Sequence, residues 1–215
     1  MSVAVRTRQA GRRRGLTLLE LSLVLGVLAV LGALIVPRLT RRASEASELV
    51  TWSTLREVQR ASNNGYYADM YETLPYPLDT TRAQHPQLAY LYVNPTHFVS
   101  GTSIGDSSWS YDPIARRGWS GPYLNAPGIY QVKVDSNFAA QYGADGDPAP
   151  LDGWGRAIVL QQPVFEGALP SDSNRQLARL VSAGPDGVLD TPPLAVAPTA
   201  AQINDDLILY LMPAP

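Results

Sequence analysis

A single carboxylate inside a membrane-length apolar run constrains this chain more than any other feature. Residues 16–36 carry no charge except Glu20, and the run follows directly on Arg12-Arg13-Arg14-Gly15. Roughly 20 apolar residues suffice to cross a bilayer as a helix, so the segment is a transmembrane candidate. A secretory signal would have a shorter apolar core and a clear small-residue cleavage site, which the Ala29, Gly32 and Ala33 neighbourhood offers only weakly. A carboxylate in hydrocarbon costs about 2.5–3.5 kcal/mol even on insertion scales, and such groups usually mark a pairing site. Glu20 therefore calls for a cationic partner. A plain anchor with Glu20 turned to the headgroups is the simpler alternative.

The order of basic leader, Gly15, Leu16 and Glu20 resembles the signal of the type IV prepilin and pseudopilin superfamily, in which Glu is the fifth residue after the cut. Leu16 stands where the family usually has Phe or Met. Pro37 falls where many members carry a helix-interrupting proline. The resemblance implies that a prepilin peptidase removes residues 1–15, methylates the new Leu16 amine, and leaves the helix in the bacterial inner membrane until assembly. Glu20 of one copy would then pair with the Leu16 amine of its neighbour. Two charges that are each expensive in lipid cost less as a hydrogen-bonded pair, and the pairing sets the register between copies.

Charge and cysteine usage narrow the compartment. Loss of Arg6, Arg8, Arg12, Arg13 and Arg14 would take the formal net charge from −2 to about −7, so the remaining chain is acidic. That argues against nucleic-acid binding through a basic surface. There is no cysteine, although a periplasmic head would be free to form disulfides. Many type IV pilins staple their C-terminal region in that way, and the pseudopilin branch often uses calcium or local packing instead. Arg38, Arg41 and Arg42 behind the span leave the positive-inside rule only modestly in favour of a cytoplasmic leader.

Beyond Pro37, apolar residues at Leu39, Ala43, Ala46, Leu49, Trp52, Leu55, Val58 and Ala61 recur at helical spacing. One helix of about 70 Å is predicted from Leu16 to Asn63, with Asn63-Asn64-Gly65 as its stop. Pro37 either opens that helix locally or marks the end of the span. Residues 65–150 are rich in Pro, Gly, Asn, Ser and Tyr and read as a loop region, with a strand at 129–134. Tyr66, Tyr67, Tyr71, Tyr76, Tyr90 and Tyr92 are expected to form a packed aromatic underside to it. Three short strands are predicted at 157–160, 177–181 and 207–212. The expected fold is α+β: a leader (1–15), a transmembrane and assembly helix (16–37), its amphipathic half (38–64) and a head (65–215) whose 151–215 part holds a small antiparallel sheet packed on the helix.

Two segments resemble motifs of the major pseudopilin of type II secretion systems: Trp119-Ser120-Gly121-Pro122-Tyr123-Leu124, and Asp152-Gly153-Trp154-Gly155-Arg156, where Ala157 replaces the usual Pro. Their expected role is structural, the glycines allowing tight turns while the indole fills the edge of the core. Ser182, Asp186, Asp190, Asp205 and Asp206 are the candidate calcium ligands, supplying the hard oxygens that calcium favours, and the four carboxylates converge if residues 191–204 loop out. The resemblance implies a calcium ion there; a Pro-Asp-Gly turn and an edge-protecting acid pair is the plain alternative. Asp145, Asp147 and Asp152 lack calcium-loop spacing and read as solvated loop.

His85 and His97 are the chain's two histidines, and there is no cysteine and no Gly-x-Ser-x-Gly, so no catalytic constellation is visible. The expectation is a non-enzymatic filament subunit. Its partners would be copies of itself, minor pseudopilins, the prepilin peptidase, the inner-membrane assembly platform and, before assembly, lipid. The alternative from another class is a type IV pilus or minor tip subunit that binds cargo or a surface through 66–150.

Overall fold

The computed structural model describes residues 18–70, 74–75, 87–95, 111–125, 127–131, 142, 145–163 and 176–212, with backbone alone at 34–41 and 87. Gly15, Leu16, Tyr71, Tyr76, His85 and His97 lie outside the described residues, as does the side chain of Pro37. The chain forms two compact units, Met1–Ala43 and Ser44–Pro215.

Helix α1 spans Leu18–Arg60 and its backbone runs through Pro37 without a break in the helical assignment. In the first unit its leucines and valines are exposed, among them Leu19, Leu23, Val27 and Val30, which line one shallow stripe with Ser22 and Gly26. Among the described residues no helix is long and apolar enough to cross a membrane. The apolar stretch with described side chains, 18–33, is shorter than the roughly 20 residues a span needs.

In the second unit, α1 buries Thr51, Leu55 and Val58 completely. Spacing of three and four residues puts them on one face of the helix. The face is rotated from the expected one: Leu49 is 72% exposed, and Trp52 and Ala61 are only partly buried flanks of the core. The helix does not stop at Asn63-Asn64-Gly65. It widens into a π-helical segment, Ala61–Tyr66, and continues as α2, Tyr67–Asp69. Tertiary contacts override the local stop signal. Asn63 Nδ2 donates to Leu211 O at 2.6 Å and Gln59 Nε2 to Tyr210 O at 2.7 Å, while the Tyr123 ring fills the space over Gly65. A π-bulge is a common way to re-aim side chains without ending a helix.

A 3-10 turn at Gln87–Leu91 follows, then a two-stranded pair, β1 (Gly128–Ile129) against β2 (Pro148–Ala149). The main sheet is antiparallel in the order β3 (Val159–Gln161), β4 (Arg179–Ser182), β5 (Leu207–Tyr210), close to the three predicted strands. Alternation divides its side chains. Leu160, Leu180 and Leu209 face α1, sharing a core with Leu55, Val58, Tyr66, Tyr90 and Leu211. Val159, Val181 and Ile208 face the other way, against Tyr130, Tyr142 and Leu189. Tyr67 and Tyr92 also pack on the first core, so four of the tyrosines form the expected aromatic layer.

Residues 191–204 do not loop out. Arg179, fully buried, donates to Pro192 O and Ala195 O, both at 2.8 Å, and to Gln161 Oε1 at 2.9 Å. Gln161 Nε2 in turn donates to Thr191 O at 2.9 Å. These bonds hold the segment on the second face of the sheet. It ends in a short helix, α3 (Ala200–Ile203), closed by a capping box between Thr199 and Gln202.

Candidate functional site

The two tryptophan motifs act as clamps between the helix and the rest of the head. In the first, Trp119 Nε1 donates to Tyr90 O at 2.8 Å, and the Tyr123 backbone N–H to Leu91 O at 2.8 Å. The Tyr123 hydroxyl accepts from Ser120 N and donates to Asp69 Oδ2, both at 3.0 Å, and Ser120 Oγ donates to the same carboxylate oxygen. The Tyr123 ring meets Tyr66 and Trp119 edge-on, each at 5.9 Å between centroids. A Cβ at Gly121 would sit 2.8 Å from the Trp119 ring. Pro122 is exposed on a cis peptide. Burial pushes the Tyr123 phenol above its usual range.

The second clamp is organised by Asp152, which is buried rather than solvated. Its Oδ1 accepts from Trp154 N and Arg156 N, each at 2.9 Å, and its Oδ2 from Ser182 Oγ at 2.7 Å. Gly153 then touches α1 directly: its N–H donates to Thr51 Oγ1 at 2.9 Å, and a Cβ there would lie 2.0 Å from Ser47 O. Trp154 is only half-buried, and Gly155 takes a positive φ of 82°. The closest approach therefore belongs to Gly153, not to the indole.

The acidic residues of the C-terminal region divide into two groups. Asp186, Asp190 and Asp205 converge, each offering an oxygen within 4.8 Å of the others. Asp205 Oδ2 accepts from Asp186 N at 3.1 Å, and Asp186 Oδ1 from Val188 N at 2.7 Å. Asn204 Nδ2 bridges Asp190 Oδ2 at 2.8 Å and Asp205 Oδ1 at 3.0 Å. Asn204 has φ +49° and ψ −112°, a positive-φ conformation outside the left-handed helical region. The Arg156 guanidinium borders the same loop, donating to Gly184 O at 2.6 Å.

Ser182 and Asp206 stand apart from this cluster. Ser182 is committed to Asp152. Asp206 Oδ2 accepts from Thr191 N at 2.7 Å and Thr191 Oγ1 at 2.6 Å, and its buried Oδ1 has no hydrogen-bond partner among the described residues. Asp206 is taken up by Thr191 while Asp205 bonds Asp186 N and Asn204, so the two neighbours do not share one site. Burial raises the Asp206 carboxyl to about 6, partly offset by the Thr191 bonds and reinforced by Asp190 and Asp205.

Calcium takes six to eight oxygens at about 2.3–2.6 Å. The three converging carboxylates are an all-oxygen, hard donor set with a spacing that one such ion spans, so these residues fit the group. Glu20 lies on the first unit, at the start of α1. Thr51, Ser47, Asp69 and Asn204 escaped sequence reasoning. Only Asn204 carried a signal, as an amide side chain directly before two acids.

Comparisons with protein-family models, characterised proteins and solved structures found no match to this chain.

Proposed function

We propose that this chain is a structural subunit of a type II secretion pseudopilus. A prepilin peptidase cleaves it after Gly15 and methylates Leu16; the mature subunit then polymerises into a periplasmic filament that helps drive protein export. The observation that carries the reading is Glu20, the lone charge of residues 16–36, placed directly behind Arg12-Arg13-Arg14-Gly15-Leu16. A helix that packs on a small antiparallel sheet within the head is consistent with it. The subunit catalyses nothing; the work comes from exchanging lipid for helix–helix contacts, with Pro37 at the end of the apolar run. Co-expression with a prepilin peptidase followed by intact-mass measurement tests the first step. The expected product lacks residues 1–15 and carries one added methyl group, and Gly15→Val blocks both changes. A chain that stays at full length beside an active peptidase, or is cut elsewhere, overturns the reading.

The reading includes a calcium ion held by Asp186, Asp190 and Asp205. The ion would supply the positive charge that three converging carboxylates lack, closing the 184–190 turn onto the start of β5. Ligand bound only to the folded head stabilises it by about 2.7 kcal/mol at a hundredfold excess over Kd, which is roughly 5–10 °C in Tm for a domain of this size. Asp190→Ala abolishes that gain. The effect depends on pH through Asp206. Its folded pKa is raised, so the folded head binds more protons than the unfolded chain between pH 3.8 and about 6. In chelator, stability therefore falls as pH rises through that window. Melts of a fragment beginning near Thr40, from pH 4 to 7 with chelator or calcium, check both points. Asp206→Asn flattens its share of the slope; no calcium shift at millimolar concentration removes the ion from the reading.

A further inference from the structure

Helix α1 and the acidic turn are both fastened to one short loop, Asp152–Arg156. Gly153 seats that loop on α1: its N–H donates to Thr51 Oγ1 at 2.9 Å, and the Ser47 backbone leaves no room for a Cβ. Thr51 Oγ1 itself donates to Ser47 O at 2.8 Å. From the end of the same loop, the Arg156 side chain reaches the acidic turn. Its Nη1 donates to Gly184 O at 2.6 Å, and its guanidinium covers Gly187, where a Cβ would lie 2.3 Å from Cζ. Asp205 packs on the same turn, since a Cβ at Gly184 would lie 2.2 Å from Asp205 O. Residues 184–187, which carry Asp186, are thus held by Arg156 as well as by the entry to β5.

The loop is built to move as one piece. Asp152 N donates to Arg156 O at 2.7 Å, Arg156 N to Asp152 Oδ1 at 2.9 Å, and Gly155 N to Asp152 O at 3.1 Å. A displacement at Gly153 therefore carries Arg156 with it. Connected bonds alone do not establish coupling, which needs an element with two arrangements. The Gly153 contact supplies them, because a backbone seated directly on a helix backbone is either in place or has lost its bond to Thr51, and packed contacts of this kind switch more readily than they deform. Ser182 Oγ, at the end of β4, also donates to Asp152 Oδ2 at 2.7 Å, a second link that bypasses Arg156.

We infer that Arg156 is a positioning residue for the acidic turn and couples it to α1: with Gly153 seated on Thr51, Arg156 holds residues 184–187 where Asp186, Asp190 and Asp205 converge. This rests on the reading in which those three carboxylates hold calcium, and it adds the regulation of that site. Coupling between two sites is reciprocal. Calcium strengthens the contact between Gly153 and Thr51, and loosening that contact weakens calcium. The charge of Arg156 acts in the opposite sense, because one cation repels another placed beside it. A substitution at Arg156 alone mixes the two effects, whereas Thr51 is uncharged and reports the coupling by itself.

The test titrates the full-length chain, in detergent micelles, with calcium chloride in a calorimeter. Thr51→Val removes the acceptor of the Gly153 N–H without changing charge, and weakens calcium binding about fivefold, the low end of typical coupling between sites. Thr51→Ser keeps the hydroxyl, and Tyr123→Phe loosens the other clamp, so each shifts Kd by less than about twofold. In an Arg156→Met background Thr51→Val has no further effect, whatever the lost charge does to Kd, because the cycle cancels it. The reverse direction is read from the Gly153 amide: saturating calcium slows its hydrogen exchange about fivefold in the wild type and not in Arg156→Met. That readout stands even if Thr51→Val fails to fold. Equal Kd values for Thr51→Val and Tyr123→Phe overturn the coupling and leave the ion in place. An effect of Thr51→Val that persists with Arg156→Met assigns the link to Ser182 and overturns the role of Arg156. A wild type without saturable calcium binding removes the ion from the reading and the coupling with it.

Discussion

Gly153→Ala lowers the stability of the head by about 3 kcal/mol, the upper part of the range for forcing an extra methyl into a packed site, or roughly 6–12 °C in Tm. The cause is specific. A Cβ on Gly153 would lie 2.0 Å from Ser47 O and 2.6 Å from Ser47 C, and those atoms belong to the backbone of α1, not to a flexible side chain. Neither wall can yield cheaply. The turn is held by Asp152 and Ser182, and the helix by its own hydrogen bonds. Gly155 provides the contrast. It adopts a positive φ but has open space around it, so Gly155→Ala carries only the left-handed backbone cost of about 1–2 kcal/mol. Thermal or urea melts of both variants check the order. Equal effects would mean that the turn conformation, not the helix contact, sets the stability of this clamp. Thr51→Val tests the same contact from the other side, since it leaves the Gly153 N–H without its acceptor at a cost of about 1–3 kcal/mol.

The strands were legible because their information is local. Ala157–Leu160, Leu177–Val181 and Leu207–Met212 are short apolar runs between turn residues, and strands form within or beside each of them. The helix end was not legible. Asn63-Asn64-Gly65 has the composition of a stop, but its meaning depends on Leu211 and Tyr123, which are distant in sequence. The buried face of α1 was misread for a similar reason. Thr51 faces inward as a polar residue because it bonds a turn more than a hundred residues away, and Leu49 consequently faces solvent. In the acidic cluster, composition pointed to the right loop but overcounted its members. Ser182 is held by Asp152 and Asp206 by Thr191, partners distant in sequence that no local pattern marks. The 191–204 segment illustrates the same limit, since nothing local announces that Arg179 will hold it down.

Under the proposed filament mechanism, Glu20→Ala leaves the chain inserted in the membrane and weakens assembly by about a hundredfold per contact. Breaking one partner of a poorly solvated ion pair typically costs about 3 kcal/mol or more, and each 1.4 kcal/mol is tenfold in an equilibrium constant. The direction separates the proposed mechanism from a plain anchor. If Glu20 only faced headgroups, removing a charge that costs about 2.5–3.5 kcal/mol near the bilayer core would favour insertion and leave association unchanged. The cationic partner also has a condition attached, because a free Leu16 amine exists only after residues 1–15 are removed. Blocking cleavage with Gly15→Val must therefore abolish the same interaction, and the two substitutions must not add when combined. Quantifying sheared filaments from cells carrying wild type, each single variant and the double variant closes this cycle. Losses that multiply, or filaments of normal abundance with Glu20→Ala, would show that the register between copies is set elsewhere. Losses that coincide would tie the lone carboxylate of the apolar run to the new amine created beside it.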